Sequence, residues 1–175
     1  MKHSGFNTSF RLFSLILLMI AAYSCVHIQY STSGASIPTG ASTFSVQLFE
    51  NNAPLINPSL SQLLTDELRN KLESQTSLKP INGFGDLDFT GSITGYEVRP
   101  VAIQGDDVAA KNRLTITLKV KYSNALDPKY EFDKSFSRYE DFDGNTDLNQ
   151  VEDNLVPLIV EKLVQDIFNE SVVNW

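Results

Sequence analysis

The chain has 175 residues, 42% of them hydrophobic and 20% charged, with a formal charge of −7. That length and balance fit one globular domain and exclude wholesale disorder or two full domains. The acidic total argues against nucleic-acid binding, which needs a basic face, and the single cysteine excludes an intrachain disulfide.

Lys2 and Arg11 are the only full charges before Cys25. Leu12 to Ala22 is apolar except for Ser14, too short to cross a hydrocarbon core that needs about 20 helical residues. It matches the apolar region of an export signal, so residues 1–24 read as a signal peptide. Ala22-Tyr23-Ser24-Cys25 resembles a bacterial lipobox, despite the bulky Tyr23 and an alanine at the usual leucine position. The expectation is cleavage before Cys25 and a covalent lipid (palmitate among the acyl chains) on its thiol. The plainer alternative is an exported protein with a stray cysteine. Cleavage leaves 12 basic and 21 acidic residues, a charge of −9, so anionic lipid would not hold the domain by bulk charge.

Residues 25–42 read as an acylated cysteine and an uncharged tether, rich in Ser, Thr, Gly and Ala from Ser31 on. The domain proper is expected over 43–175. Phe44, Val46 and Leu48 alternate with polar residues as a strand. After the loop ENNAPLINPS, Asn57-Pro58 starts a helix to about Gln75, with Leu60, Leu64, Leu68 and Leu72 on one stripe.

Three strands follow. Leu87, Phe89 and Ile93 share a face, and the phase then slips to Tyr96 and Val98, which predicts a bulge at Gly95. Leu114, Ile116, Leu118, Val120 and Tyr122 oppose Arg113, Thr115, Thr117, Lys119 and Lys121. The third runs from Tyr130 to Tyr139, joined by an Asp127-Pro128 turn as a hairpin. The last helix spans about Leu148 to Val173, with Pro157 either in the first turn of a later start or kinking a longer helix. The order β-α-β-β-β-α predicts an α+β two-layer sandwich: a four-stranded mixed sheet with two helices on one face.

Catalytic chemistry is not expected. His27, in the tether, is the only histidine after the signal, and there is no phosphate loop, CxxC or HExxH. Two constellations stand out. Asp141, Asp143, Asn145, Asp147 and Glu152 follow calcium-loop spacing, but Thr146 occupies the required glycine position. The plain reading is a polar strand-to-helix loop with Asp147 as N-cap. Arg99, Lys111 and Arg113 flank a strand connection and are candidates for phosphate groups; the plain reading is an ordinary charged hairpin loop.

The runs SGASIPTGASTFSVQLFENNAPLINPSLSQLLTDELRNKL, TGSITGYEVRPVAIQGDDVAAKNRLTITLKVKY, FSRYEDFDG and VEKLVQDIFNESVVNW together resemble the LptE family of lipopolysaccharide-assembly lipoproteins, in its short acylated branch. The resemblance implies an outer-membrane lipoprotein on the periplasmic side. It implies a plug inside the LptD β-barrel that helps assemble the barrel, and contact with lipopolysaccharide. The family's basic ligand residues cannot be aligned to a motif here, so Arg99, Lys111 and Arg113 rest on charge and location. The alternative is another periplasmic accessory lipoprotein, such as an activator of a cell-wall synthase.

Overall fold

The computed structural model describes residues 37–55, 57–101 and 110–173. Their elements run β1 (Thr43–Val46), β2 (Glu50–Asn51), α1 (Leu60–Gln75), β3 (Lys79–Pro80), β4 (Leu87–Val101), β5 (Lys111–Asn124), a 3-10 turn (Pro128–Tyr130), β6 (Phe132–Asp143) and α2 (Leu148–Phe168), which widens into a π turn at Asn169–Val173. The signal segment, Cys25, the tether before residue 37 and the 102–109 connection lie outside the described residues.

The class is the expected one, but the sheet has six strands rather than four. Its order is β3-β1-β4-β5-β6, with β2 also pairing β4. The extra two strands are two residues each and carry no alternating pattern. β3 lies at the edge, where proline is tolerated because one row of N–H groups needs no partner. Lys79 and Ile81 donate to Ser42 O and Phe44 O, both at 2.9 Å, and Pro80 sits between them. The β1–β3, β1–β4 and β2–β4 pairs are parallel; β4–β5 and β5–β6 are antiparallel.

The first strand is shorter than its alternation predicts. Val46 pairs with Phe89, whereas Glu50 pairs with Ser92, so this edge carries one residue more than β4 does. The slip turns Leu48 outward and buries Phe49 completely. Gly91 makes room for that ring: a Cβ there would lie 2.7 Å from the Phe49 ring and 2.5 Å from Lys119 O. The expected bulge is present, a register shift between Ile93 and Gly95 that brings Tyr96 to the core face.

Both helices cover one face. α1 buries Leu60, Leu64, Leu68 and Leu72, and α2 buries Ile159, Val160, Leu163 and Ile167, against the inward row Leu114, Ile116, Leu118, Val120 and Tyr122 of β5. The helix start at Asn57 is real, although regular turns begin only at Leu60. Asn57 Oδ1 accepts from Ser59 N and Leu60 N at 3.0 and 3.2 Å, satisfying donors that the first turn leaves free. Asp147 caps α2, accepting from Asn149 N at 2.9 Å. Pro157 lies inside α2, so the longer helix is the one that forms.

β6 is the outer edge strand on the other side, and its helix-facing row mixes Phe132, Phe136 and Phe142 with three charged residues. Lys134 pairs with Glu170, Arg138 with Asp166 at 2.5 Å, and Glu140 with Lys162, all three partners on α2 or its π turn. Charges pointing toward the helix layer make this edge a poor template for another strand.

Asp86 fastens the start of the domain. Its carboxylate accepts from Ser42 N, Thr43 N and Thr43 Oγ1 at 2.9, 3.0 and 2.8 Å. These bonds, the Ser42 backbone N–H first among them, hold its pKa below the ordinary value of 3.8. Asp86 thereby holds Ser42 and Thr43, and before them Ile37 and Ala41 pack on the core.

Candidate functional site

The face of the sheet away from the helices is open, and its residues follow from strand parity. β5 presents Lys111, Arg113, Thr115, Thr117, Lys119 and Lys121. In register beside them stand Asp143, Asp141, Tyr139, Ser137, Ser135 and Asp133 of β6. On the β4 side, Glu97 and Arg99 adjoin Thr115 and Arg113. The bulge before Gly95 restores this phase; without it Glu97 and Arg99 would point into the core.

The face is charged but internally balanced. Arg113 donates from Nε to Asp141 Oδ1 at 2.7 Å and from Nη2 to Oδ2 at 3.0 Å, and its guanidinium lies 3.6 Å from the Tyr139 ring centre. The hydrogen bonds raise the Arg113 pKa and lower that of Asp141. Lys119 reaches Asp133 at 3.3 Å, Arg99 reaches Glu97 at 2.6 Å, and Thr117 Oγ1 shares a 3.0 Å hydrogen bond with Ser137 Oγ. Such exposed pairs add little stability. They leave a rigid, hydrated wall of short polar side chains with paired charges.

Arg99 and Arg113 are thus direct register neighbours, and Lys111 stands two residues away on β5. The three share one end of the open face, but both arginines already hold carboxylates. Sequence reasoning could place the basic residues; it could not see that Asp141 would answer Arg113, because that partner is fixed by register, whereas Glu97 stands two residues before Arg99 on the same strand.

The calcium-loop residues take separate places. Asp141 belongs to Arg113 and Asp147 to the α2 cap, while Glu152 turns inward to accept from Tyr96 Oη and from Asn57 Nδ2 at 2.9 Å. Among the described residues no group of three or more His, Cys, Asp or Glu could hold a metal ion. Burial, first, and the Glu152 carboxylate push the Tyr96 hydroxyl well above its ordinary pKa. Sequence reading missed this Tyr96-Glu152-Asn57 cluster, since its members come from three distant segments.

Acid should loosen the fold. Asp86 and Asp141 have lowered pKa values in the folded state, so their contributions are full above the ordinary carboxylate value. They are lost as pH falls through the lower, folded values. Thermal unfolding should therefore weaken below about pH 4. Asp86→Asn should flatten that fall; an unchanged acid limb in the variant would remove Asp86 from the account.

The class defined by these features is a two-layer α+β domain, two helices on one face of a mixed sheet whose other face is open. The chain belongs to the LptE family, described as lipopolysaccharide-assembly, whose pattern matches residues 41–171. No curated protein matches it. Among solved structures, a neuraminyllactose-binding hemagglutinin homologue from Helicobacter pylori is similar at 14% identity and TM-score 0.51, covering 82% of this chain and 90% of that one. A minor lipoprotein from Acinetobacter baumannii is similar at 15% identity and TM-score 0.49, covering 74% and 91%. At 14% identity the likeness to the Helicobacter pylori protein speaks to the fold alone. No helix among the described residues is long and apolar enough to cross a membrane.

Proposed function

We propose that this chain is a non-enzymatic, lipid-anchored subunit of the lipopolysaccharide export machinery, docked by its open sheet face inside the LptD β-barrel. The family match over residues 41–171 is the observation that carries this reading. The open face supports it, because a barrel lumen is itself polar and two such walls meet through hydrogen bonds and water. A covalent lipid on Cys25 would hold the chain at the outer membrane, on its periplasmic side. Lipopolysaccharide phosphates would be met by Arg99, Lys111 and Arg113, with Arg99 the most exposed of the described pairs on that face.

The test is purification of the acylated protein from solubilised outer membranes, with barrel and lipopolysaccharide measured together. The native chain should bring down a large β-barrel. Ser135→Arg with Ser137→Arg, both exposed on β6, should lose the barrel while melting normally. Arg99→Ser, Lys111→Ser and Arg113→Ser combined should keep the barrel and carry less lipopolysaccharide. A native chain that captures no barrel sinks the docking reading, and unchanged lipopolysaccharide with the triple variant sinks the basic cluster.

A further inference from the structure

Asn82 is the one asparagine in the sequence that precedes a glycine. Asparagine is a thermolabile residue, because the main-chain nitrogen that follows it can attack its side-chain carbonyl. Glycine opens that path, having no Cβ to shield its nitrogen and the widest range of backbone angles. The fold leaves the pair available. Asn82 and Gly83 are both exposed and lie outside any helix or strand. Gly83 has a φ of +101°, and a Cβ built on it would meet nothing within 4 Å. Among the described residues no hydrogen bond engages the Asn82 side chain or the Gly83 N–H. Asp143-Gly144 could follow the same chemistry, but there the fold closes it. Gly144 N donates to Ala110 O at 2.7 Å, and a Cβ on Gly144 would lie 2.6 Å from that oxygen.

The residues around the pair are fastened to β1. Ile81 N donates to Phe44 O at 2.9 Å, Gln47 Nε2 to Gly83 O at 2.8 Å, and Gly85 N to Ser45 Oγ at 2.8 Å. A Cβ on Gly85 would sit 2.6 Å from the Phe44 carbonyl carbon, so the segment has no room to move toward the strand. The same Ser45 and Gln47 side chains also donate to Asp88, a carboxylate only 8% exposed. Asn82 shares a cleft with Arg69, Gln47 and Pro80. The chemically labile link therefore lies between the first two of three fastenings, and two of those fastenings use the side chains that satisfy a buried carboxylate.

We propose that Asn82-Gly83 is a self-modifying site, at which the chain converts Asn82 to isoaspartate without an enzyme and so unfastens the 81–86 connection from β1. Gly83 N gives its proton to hydroxide and attacks Asn82 Cγ. The new N–Cγ bond forms as the Cγ–Nδ2 bond breaks, and the amide nitrogen leaves as ammonia with a proton from water. Water then opens the five-membered imide at either carbonyl. Opening at Cγ gives aspartate; opening at the main-chain carbonyl gives isoaspartate. One water is consumed and one ammonia released, with no oxidant or reductant. Both products exchange a neutral amide for a carboxylate, and isoaspartate also adds one carbon to the main chain. With Ile81 and Gly85 already bound, the Gln47–Gly83 contact is the nearest place for that extra length to be taken up. The inference rests on these residues alone and is independent of the docking reading.

The test ages the folded full chain in mildly alkaline buffer and follows it by peptide mass spectrometry. An endoprotease that cuts before aspartate releases residues 66–85 as one peptide. That peptide should gain the mass of an NH2-to-OH exchange. The same protease cuts before a new aspartate at position 82 but not before isoaspartate, so the uncut, heavier peptide measures the proposed product and should be the larger share. Peptides carrying the exposed Asn52 and Asn154 should stay unchanged over the same period. The gain should be faster in alkaline than in neutral buffer, because only the deprotonated Gly83 nitrogen attacks. Asn82→Gln, whose longer side chain disfavours the five-membered ring, should abolish it. Hydrogen exchange reads the second half of the proposal. The Ile81 and Gly85 amides should exchange several-fold faster in the aged chain, while freshly made Asn82→Asp, which adds the charge without the extra carbon, should keep native protection. A folded chain that ages no faster at residue 82 than at Asn52 or Asn154 overturns the site. Isoaspartate formation with unchanged exchange at both amides overturns the unfastening.

Discussion

Phe89→Ala should cost about 3–5 kcal/mol, the range for removing a fully buried phenyl ring and leaving a cavity. Phe89 is wholly buried on β4 and is the register partner of Tyr122 on β5. Their ring centres are 5.0 Å apart, Tyr122 and Phe132 are 5.3 Å apart, and Phe132 and Phe136 are 6.0 Å apart. Four rings thus cross three strands, from the sheet centre to the edge beside α2. Removing the first ring takes away hydrophobic burial and an aromatic pair together. The surrounding strands are hydrogen-bonded on both sides and cannot close the gap by moving. Urea unfolding should show the loss as a lower midpoint with an unchanged slope. A loss below about 1 kcal/mol would mean that the site repacks, and that the ring row is not the rigid centre of the sheet.

Tyr96→Phe should cost about 1.5–3 kcal/mol, the worth of a hydrogen bond to a charged partner. Tyr96 is 2% exposed, and its hydroxyl donates to Glu152, which also accepts from Asn57. One carboxylate thereby ties the approach to α1, the strand beyond the bulge and the second turn of α2. The variant keeps the ring and its burial and removes only the donor. Glu152→Gln should then do less harm in the Tyr96→Phe background than in the native chain, because the orphaned charge is gone. A double-mutant cycle should give a coupling on the order of 1–2 kcal/mol. Strict additivity of the two substitutions would show that the cluster does not act as a unit.

The parts of this fold that the sequence made legible are those where one side chain pattern decides. β5 alternates without a fault over its inward row, so its two faces could be assigned residue by residue. Asn57 and Asp147 announced the helix starts because capping chemistry is local. The slip at Gly95 was visible because a change of phase in a strand has few causes. Where the reading fell short, a partner distant in sequence decides. β2 and β3 exist because β4 and β1 offer open hydrogen-bonding edges, not because Glu50-Asn51 or Lys79-Pro80 favour extended structure. Leu48 was placed inside by alternation, yet Phe49 takes the buried position because Gly91, some forty residues on, leaves space for its ring. The candidate site divides in the same way. The polar wall of β5 could be read directly, whereas its charge balance comes from Asp133 and Asp141 through strand register.

The edge of β6 carries a code as well as a barrier. Along it the signs run plus, plus, minus at Lys134, Arg138 and Glu140, and α2 answers with Glu170, Asp166 and Lys162. The apolar stripe of α2 repeats every turn and would pack almost as well if the helix slid lengthwise by four residues. The charges would not allow it. A slide one way sets Lys162 against Arg138, and a slide the other way sets Asp166 against Glu140, so like charges meet in either case. The ion pairs, individually weak because they are exposed, work like the notches of a key. They select the axial position of a helix that hydrophobic burial alone would leave free to choose between neighbouring turns.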